Sequence, residues 1–257
     1  MKRPPRAADL LSLAAHCDQL LRTTEVADWD GAANGLQVQN RGTVSCIAAS
    51  VDASLATVQL AIQARADLLL VHHGLFWSKS HPWTGKRYDL MRTLVEGNLS
   101  VYSSHLPLDL HPTLGNNVRL AKALGLTRGK PFFREKGAMI GLRFQQTLDR
   151  EELFKRMNDV LGAAPLMIPT GGRQCRRIGI VTGGAGEELR RAAEEGVDTF
   201  ITGEGPHWTY ALAEELGINV FYGGHYATET FGVRALAQHL STRFRIPWIF
   251  LDHPTGL

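Results

Sequence analysis

The sequence predicts an α/β protein of two lobes, with mainly parallel sheets flanked by helices. Short apolar runs alternate with amphipathic stretches along most of the 257 residues, and this alternation is typical of βαβ units. The alternation of strand and helix patterns is interrupted at 127–137, a segment rich in charged residues, glycine and proline, and continues after it. We therefore expect a linker there, with an N-terminal lobe at 1–128 and a C-terminal lobe at 129–257. The lobes can interleave, since the C-terminal strand is free to return to the first sheet.

The first half of the chain shows alternating strand and helix patterns. Asp52 and Ser54 stand where the N-cap of the first helix belongs, and Gly125 follows the last helix as a C-terminal stop. The expected elements are a strand at 46–51, a helix at 55–65, a strand at 67–71, a helix near 87–97, a strand at 99–104 and a helix at 116–124.

The second half repeats the theme with more strands. Its periodicity predicts strands at 138–144, 177–184, 198–203, 219–224 and 247–252, and helices at 149–161, 187–195, 207–216 and about 226–240.

Composition limits the classes of function and the compartment. A net charge of +3 is far from that of a protein whose main task is to coat nucleic acid. The three cysteines are scattered and form no CxxC pair, which argues against a disulfide framework or a thiolate zinc site and fits a reducing cytosol. The basic start leads into no long apolar segment, so we expect a cytoplasmic protein with no signal peptide and no membrane partner.

Polar side chains cluster where three predicted strands end. His72 and His73 follow the apolar run "LLLV", "SHLPLDLH" occupies 104–111, and "GGHYATE" occupies 223–229. In open α/β sheets ligands collect beyond the carboxyl ends of the strands. Each cluster alone is weak evidence, and a single histidine is more often a polar surface residue. Together they predict a ligand site, because burying unpaired histidine and aspartate is costly.

The residue types in these clusters indicate a transition metal. Imidazoles and carboxylates without thiolates suit zinc, iron, manganese or nickel better than calcium or magnesium. Two adjacent histidines seldom converge on one ion, but each can reach its own ion when two metals lie roughly 3.5–4 Å apart. The spacing from His225 to Glu229 places both on one helix face, and a carboxylate such as Glu229 can bridge two ions. Pro107 is expected to block a regular helix, which leaves His105 and Asp109 on a loop.

Three other features are weaker. The turn "VTGGAGEEL" at 181–189 can hold a phosphate on backbone N–H groups, but a simple tight turn is at least as good an interpretation. A group of arginines can form a basic patch or a solvated face; these are Arg173, Arg176, Arg177, Arg190 and Arg191. Glu204 and His207, after another strand, can line the cleft or cap the next helix.

Five motifs follow one another along the chain: "NGLQV" at 34–38, "ADLLLVHHGLFW" at 66–77, "SSHLPLDLHPTLGNN" at 103–117, "ITGE" at 201–204 and "GGHYATE" at 223–229. In this order they resemble the YbgI-like family, also called NIF-three-like and often labelled GTP cyclohydrolase 1 type 2 homolog. The resemblance runs from about Asp30 to the C-terminal "LDHP", and the chain is similar to the short bacterial form without a middle insertion.

The resemblance implies a dinuclear metal site in the cleft between the two lobes and a toroidal homohexamer. It implies two divalent ions per chain, with Glu229 as the bridge and His105 as a catalytic proton shuttle or supporting residue. The implied ligands are His72, His73, Asp109, His225 and Glu229. The family label implies hydrolytic opening of the guanine imidazole ring of GTP, so a nucleotide is the expected substrate.

Three hypotheses for function follow. The first is a metal-dependent hydrolase acting on a nucleotide or a related heterocycle. The second is a non-catalytic metal-binding ring or a metallochaperone scaffold. The third is a nucleic-acid-binding ring that uses the arginines, which the small net charge does not favour.

Overall fold

The chain forms two compact α/β units, described in a computed structural model over residues 7–77 and 82–257. The first unit comprises the chain up to His111 together with Gly232–His253, and the second comprises Pro112–Phe231 with Pro254–Leu257. The chain thus first changes unit after His111, earlier than the boundary at 128/129 expected from the sequence. Residues 1–6 of the basic start lie outside the described residues.

A five-stranded sheet organises the first unit. The elements are β1 Ala8–Asp9, α1 Leu10–Leu21, β2 Gly35–Val38, β3 Thr43–Val44, β4 Ile47–Asp52, α2 Leu55–Gln63, β5 Leu68–His73, α3 Lys86–Glu96, β6 Ser100–Ser103, α4 Leu106–Asp109 and β13 Trp248–Phe250. The strand order of the sheet is β13-β4-β5-β6-β2, and all neighbours are parallel except β2, which runs antiparallel to β6. The C-terminal strand β13 thus pairs with β4 of the first sheet.

A six-stranded mixed sheet organises the second unit. The elements are α5 Asn116–Ala123, β7 Lys130–Glu135, β8 Ala138–Asp149, α6 Arg150–Leu161, β9 Leu166–Pro169, β10 Gln174–Ile180, a 3₁₀ turn Ala185–Glu188, α7 Leu189–Glu194, β11 Thr199–Thr202, α8 Thr209–Leu216 and β12 Asn219–Tyr222. The helix α9 His225–Phe244 begins in this unit and belongs to the first unit from Gly232 onward. The strand order is β7-β8-β10-β11-β12-β9, and only β10, β11 and β12 run parallel, so the expectation of a mainly parallel sheet is wrong here.

The second sheet carries apolar clusters on both faces. Neighbouring strand residues point to opposite faces, so Phe200 packs in one cluster and Ile201 in the other. Burial on both faces explains why its central strands read as short continuous apolar runs.

The segment 127–137, expected as a linker, contains the edge strand β7. Phe132 and Phe133 within it are buried. The Phe133 N–H donates to the Glu195 carboxylate at 3.0 Å, and the Arg191 guanidinium lies 4.2 Å from the centre of the Phe133 ring. Burial of the two phenylalanines therefore holds this segment in the sheet despite its charged and turn-forming residues. The expectation of a linker at 127–137 is wrong.

Two local expectations around the histidines also need correction. Strand β5 does not stop at Val71 but continues through His73, so both histidines are strand residues. The segment after His105 is not a loop, because Leu106–Asp109 forms the short helix α4. Pro107 lies in the first turn of α4, where its missing N–H costs no helical hydrogen bond.

Within residues 7–77 and 82–257, no helix combines the length and the apolar composition that a membrane span requires.

Candidate metal centre

Three imidazoles meet at the carboxyl end of the first sheet. His72 and His73 end β5, and His105 stands at the N-cap of α4 just after β6. One ring nitrogen from each histidine lies within 4.8 Å of the other two. The centre of the His72 ring lies 4.9 Å from those of both His73 and His105. The adjacent histidines thus converge on one region even though neighbouring strand residues start in opposite directions.

Each of these imidazoles is held at Nδ1 by an acceptor. The His72 Nδ1–H donates to the Ser104 carbonyl oxygen at 2.9 Å, and a carbonyl can only accept. The Nδ1 atoms of His73 and His105 each lie 2.8 Å from a carboxylate oxygen, of Asp52 and Asp28 respectively. This bonding fixes the tautomer in which Nε2 carries the lone pair, and Nε2 is therefore the ligand atom that each ring can offer to a metal.

Asp28 is the most heavily bonded of the anchoring carboxylates. It accepts hydrogen bonds from His105, from the Asn34 amide at 2.8 Å and from the backbone N–H groups of Trp29 and Leu106. Burial raises the pKa of the Asp28 carboxyl, but the bonds from His105, Asn34 and Trp29 outweigh it and lower the pKa below its ordinary value. Asp28 therefore stays ionised and fixes the orientation of His105.

Asp109, the last residue of α4, adds a carboxylate to this group. One of its oxygens lies 3.4 Å from Nε2 of the fully buried His72. That separation is longer than a charge-assisted hydrogen bond. Zinc and iron sites in proteins commonly combine imidazole nitrogen and carboxylate oxygen ligands, as His72 and Asp109 would provide.

A second cluster lies at the start of α9 in the second unit. Nδ1 of His225 lies 2.7 Å from a Glu204 carboxylate oxygen, and Nε2 lies 3.1 Å from a Glu229 oxygen one helical turn further on. Burial lowers the pKa of His225, but the two carboxylates outweigh it and raise the pKa to about 9. At neutral pH His225 is therefore an imidazolium that donates to both carboxylates.

The glycine-rich turn after β10 makes room for this cluster. Gly183 has φ of +75°, and a Cβ placed on it would clash with a Glu229 oxygen. A Cβ on Gly184 would lie 3.6 Å from the His225 ring and 3.7 Å from a Glu204 oxygen. Because two carboxylates lie against this turn, the tight-turn interpretation of "VTGGAGEEL" fits better than a phosphate loop.

The structure thus places the predicted site residues in two groups. His72, His73, His105 and Asp109 lie together in the first unit, and His225 and Glu229 lie together in the second. The donor atoms are imidazole nitrogens and carboxylate oxygens, as a divalent transition metal requires. The three cysteines are free, and Cys17 and Cys175 are buried.

Sequence reasoning misses three anchoring carboxylates or gives them other roles. The sequence places Asp52 at the N-cap of a helix. In the structure it is the last residue of β4 and lies opposite His73 of the neighbouring strand β5. Glu204 reads equally well as a cleft residue and as a cap. No local pattern marks Asp28, which stands 77 positions before His105.

Comparison with known proteins gives consistent matches over nearly the whole chain. The family model described as Duf34/NIF3 (NGG1p interacting factor 3) matches residues 9–255. A Deinococcus radiodurans protein named GTP cyclohydrolase 1 type 2 homolog is 43% identical over 230 residues, which cover 89% of this chain and 88% of that protein.

Solved structures share the fold. The crystal structure of TTHA1606 from Thermus thermophilus has a TM-score of 0.90 and 40% identity, and the match covers 97% of this chain and 100% of that one. Reduced HcgD from Methanocaldococcus jannaschii has a TM-score of 0.85 at 23% identity over 96% of this chain and 99% of that one, which indicates a shared fold.

Proposed function

This chain belongs to the Duf34/NIF3 (NGG1p interacting factor 3) family, and on that premise we propose that it binds two divalent metal ions. We further propose that it acts as a metal-dependent hydrolase on a nucleotide or a related heterocycle. The ligands in this proposal are His72, His73, Asp109, His225 and Glu229.

The observation that carries the metal proposal is the anchoring of the imidazoles. His72, His73, His105 and His225 each have Nδ1 within 2.9 Å of an oxygen acceptor, a carboxylate in three cases and a backbone carbonyl in one. A metal-ligating histidine almost always has its other ring nitrogen held in this way, because the bond fixes the ring and its tautomer. These rings, with Asp109 in the first unit and Glu229 in the second, offer the imidazole and carboxylate donors that suit zinc, iron, manganese or nickel.

Glu229 suits the role of a bridging ligand. It is 3% exposed, and it follows His225 by one helical turn. A buried carboxylate needs a cationic partner, and its two oxygens can offset the repulsion between two dications.

The chain's own residues would perform the remaining steps. Bound divalent ions would supply Lewis acidity toward a substrate oxygen. His105, with Nδ1–H held by Asp28, presents Nε2 as the nitrogen that can accept or deliver a proton near that oxygen. The structure also brings His105 within ligand distance of His72 and His73, so it can alternatively serve as a third imidazole ligand.

A nucleic-acid role is weakened by the pairing of the arginines. Arg173, Arg177 and Arg190 lie within 3.4 Å of a carboxylate oxygen of Asp149, Asp198 and Glu215 respectively. Arg191 lies 3.3 Å from Glu135. Because these four cations are balanced within the second unit, they offer little net positive charge to phosphates.

A turnover screen on metal-loaded protein tests the hydrolase proposal. The substrates are GTP, other nucleotides and simple phosphoesters, each with zinc, iron, manganese or nickel. His105→Ala should lower the rate by about 10²–10⁴-fold if His105 transfers the proton, and the exposed His207→Ala should not change it. Turnover on none of these compounds, with metal bound, would favour the non-catalytic metal-binding ring or metallochaperone scaffold. Loss of metal in His105→Ala would instead make His105 a ligand.

A further inference from the structure

An exposed tryptophan stands directly against the imidazole cluster. The centre of the Trp77 ring lies 4.6 Å from that of His105, at an interplanar angle of 89°, and 5.3 Å from that of His73. The residue is nevertheless 41% exposed. One side of the indole is therefore occupied by the imidazoles, and a large part of its remaining surface is open to solvent.

The loop that carries Trp77 is held in place by the residues before and within β2. The Leu75 N–H donates to the Gln37 side chain at 2.7 Å, and the Ala33 N–H donates to the Phe76 carbonyl at 3.3 Å. Gln37 in turn donates to the Ala33 carbonyl at 2.6 Å. These bonds fix the backbone of the two residues that precede Trp77, and restraint of this kind lowers the ordering cost of ligand binding.

The cluster's charge limits what can bind beside the indole. Asp28, Asp52 and Asp109 all lie at the imidazoles. In metal-free protein these carboxylates repel an anion, whereas a neutral planar ring gains stacking and apolar contact on the indole. Once cations occupy the cluster, an anionic group of the same ligand can also be accepted there.

We infer that Trp77 is a stacking residue for the planar nitrogen heterocycle of a nucleoside or nucleotide ligand. The inference rests on the proposed function, because the indole lies against the histidines proposed to bind metal. A base on the open part of the indole would lie next to the imidazoles of His73 and His105, where the chemistry would take place. Trp77 would thus position the ligand, while the metal ligands would act on it.

A second exposed tryptophan, Trp83, provides a matched control for substitution of Trp77. Trp83 is 37% exposed, but it packs against Phe76 at 6.2 Å and under the Arg87 guanidinium at 4.7 Å. Neither of these neighbours is a histidine of the cluster. Trp83→Ala therefore removes an exposed indole of the same kind without removing the contact to His105.

The experiment measures adenosine binding to the full chain by ligand-observed NMR, with ribose as the non-aromatic probe. It uses chelator-treated protein, so that the result is independent of metal binding. Adenosine should bind and ribose should not. Trp77→Ala should weaken adenosine binding roughly 5- to 150-fold, Trp77→Phe should weaken it less, and Trp83→Ala should change it less than about twofold.

Equal binding of adenosine and ribose, no adenosine binding, or equal effects of Trp77→Ala and Trp83→Ala would overturn the inference. A changed molecular mass in Trp77→Ala, with adenosine binding unchanged, would overturn it too and assign the indole to a subunit contact. Metal content measured on the same samples separates the two proposals. Trp77-dependent adenosine binding in a chain that takes up no metal would sustain the stacking role while refuting the proposed function.

Discussion

At the scale of single residues, the anchoring carboxylates decide how the imidazoles can bind. The Asp52 side chain is 34% exposed, yet its oxygen lies 2.8 Å from Nδ1 of His73. Asp52 therefore acts mainly by orienting the His73 ring, and it adds little to the packing of the core. A ring that loses this partner can rotate and change tautomer, and both changes weaken a metal bond.

We predict that Asp52→Ala lowers the affinity for zinc about 10- to 100-fold while leaving the fold intact. The control is Asp89→Ala, which removes an aspartate whose carboxylate forms long ion pairs with Lys86 and Arg92, at 3.8 and 3.7 Å. Zinc titration by calorimetry, with circular dichroism of each variant, measures both properties. Equal affinities in the two variants would show that the Asp52–His73 bond has no influence on metal binding.

The raised pKa of His225 predicts a pH dependence of stability in metal-free protein. Burial lowers this pKa, but Glu229 and Glu204 outweigh burial and raise it to about 9 from an ordinary 6.5. Since the folded-state pKa lies above the unfolded one, the stabilisation is fully present below pH 6.5 and is lost as pH rises through 9. We therefore expect chelator-treated protein to lose stability between about pH 6.5 and 9.

Urea unfolding at several pH values checks this prediction. His225→Gln should show a smaller loss across the same window, because it removes the titrating group. A wild-type stability that rises from pH 6.5 to 9, or one that matches His225→Gln throughout, would contradict the assigned ion pairs.

At the scale of elements, the turn after β10 is shaped by the carboxylate beside it. Gly183→Ala should destabilise the chain by about 1–3 kcal/mol from the left-handed backbone alone, and further because its Cβ would meet Glu229. Gly217→Ala is the matched control, since Gly217 has φ of +63° with no atom within 4 Å of an added Cβ. Thermal unfolding should show the larger loss for Gly183→Ala, and equal losses would mean that the turn can move away from Glu229.

The elements also show what the sequence can predict. Leu68–Val71 and Thr199–Thr202 read as strands because their residues are buried on both faces, and the structure confirms them. The strand β7 could not be found in this way, since Phe132 and Phe133 stand among charged and turn-forming residues. The antiparallel pairing of β8 with β10 depends on contacts distant in sequence, and local periodicity carries no information about such partners.

The same limit applies to the candidate centre. The histidines at strand ends could be found, because strand ends and residue types are both readable from the chain. The acceptor of each Nδ1 could not, because Asp28, Asp52 and the Ser104 carbonyl reach their histidines only through the folded sheet. Sequence thus indicates candidate ligands, whereas the folded chain shows which nitrogen each histidine can offer.

At the scale of the whole molecule, the expectations that go beyond one chain stay predictions. The toroidal homohexamer follows from the family resemblance, and light scattering in solution is its direct test. The chain itself combines a mainly parallel sheet with a mixed one, and it carries anchored histidines in both units. Within the first unit, the imidazole cluster brings together residues as distant in the sequence as Asp28 and His105.

The number of metal ions per chain is the decisive measurement for the proposed dinuclear centre. Elemental analysis after saturation with zinc and removal of the excess should give close to two ions per wild-type chain. Glu229→Gln keeps the shape of the side chain but removes its charge, so it should lose at least one ion, whereas the exposed Glu187→Gln should keep both. A wild-type chain that takes up no metal would refute the proposed metal centre, and two tightly held ions in Glu229→Gln would refute the bridging role.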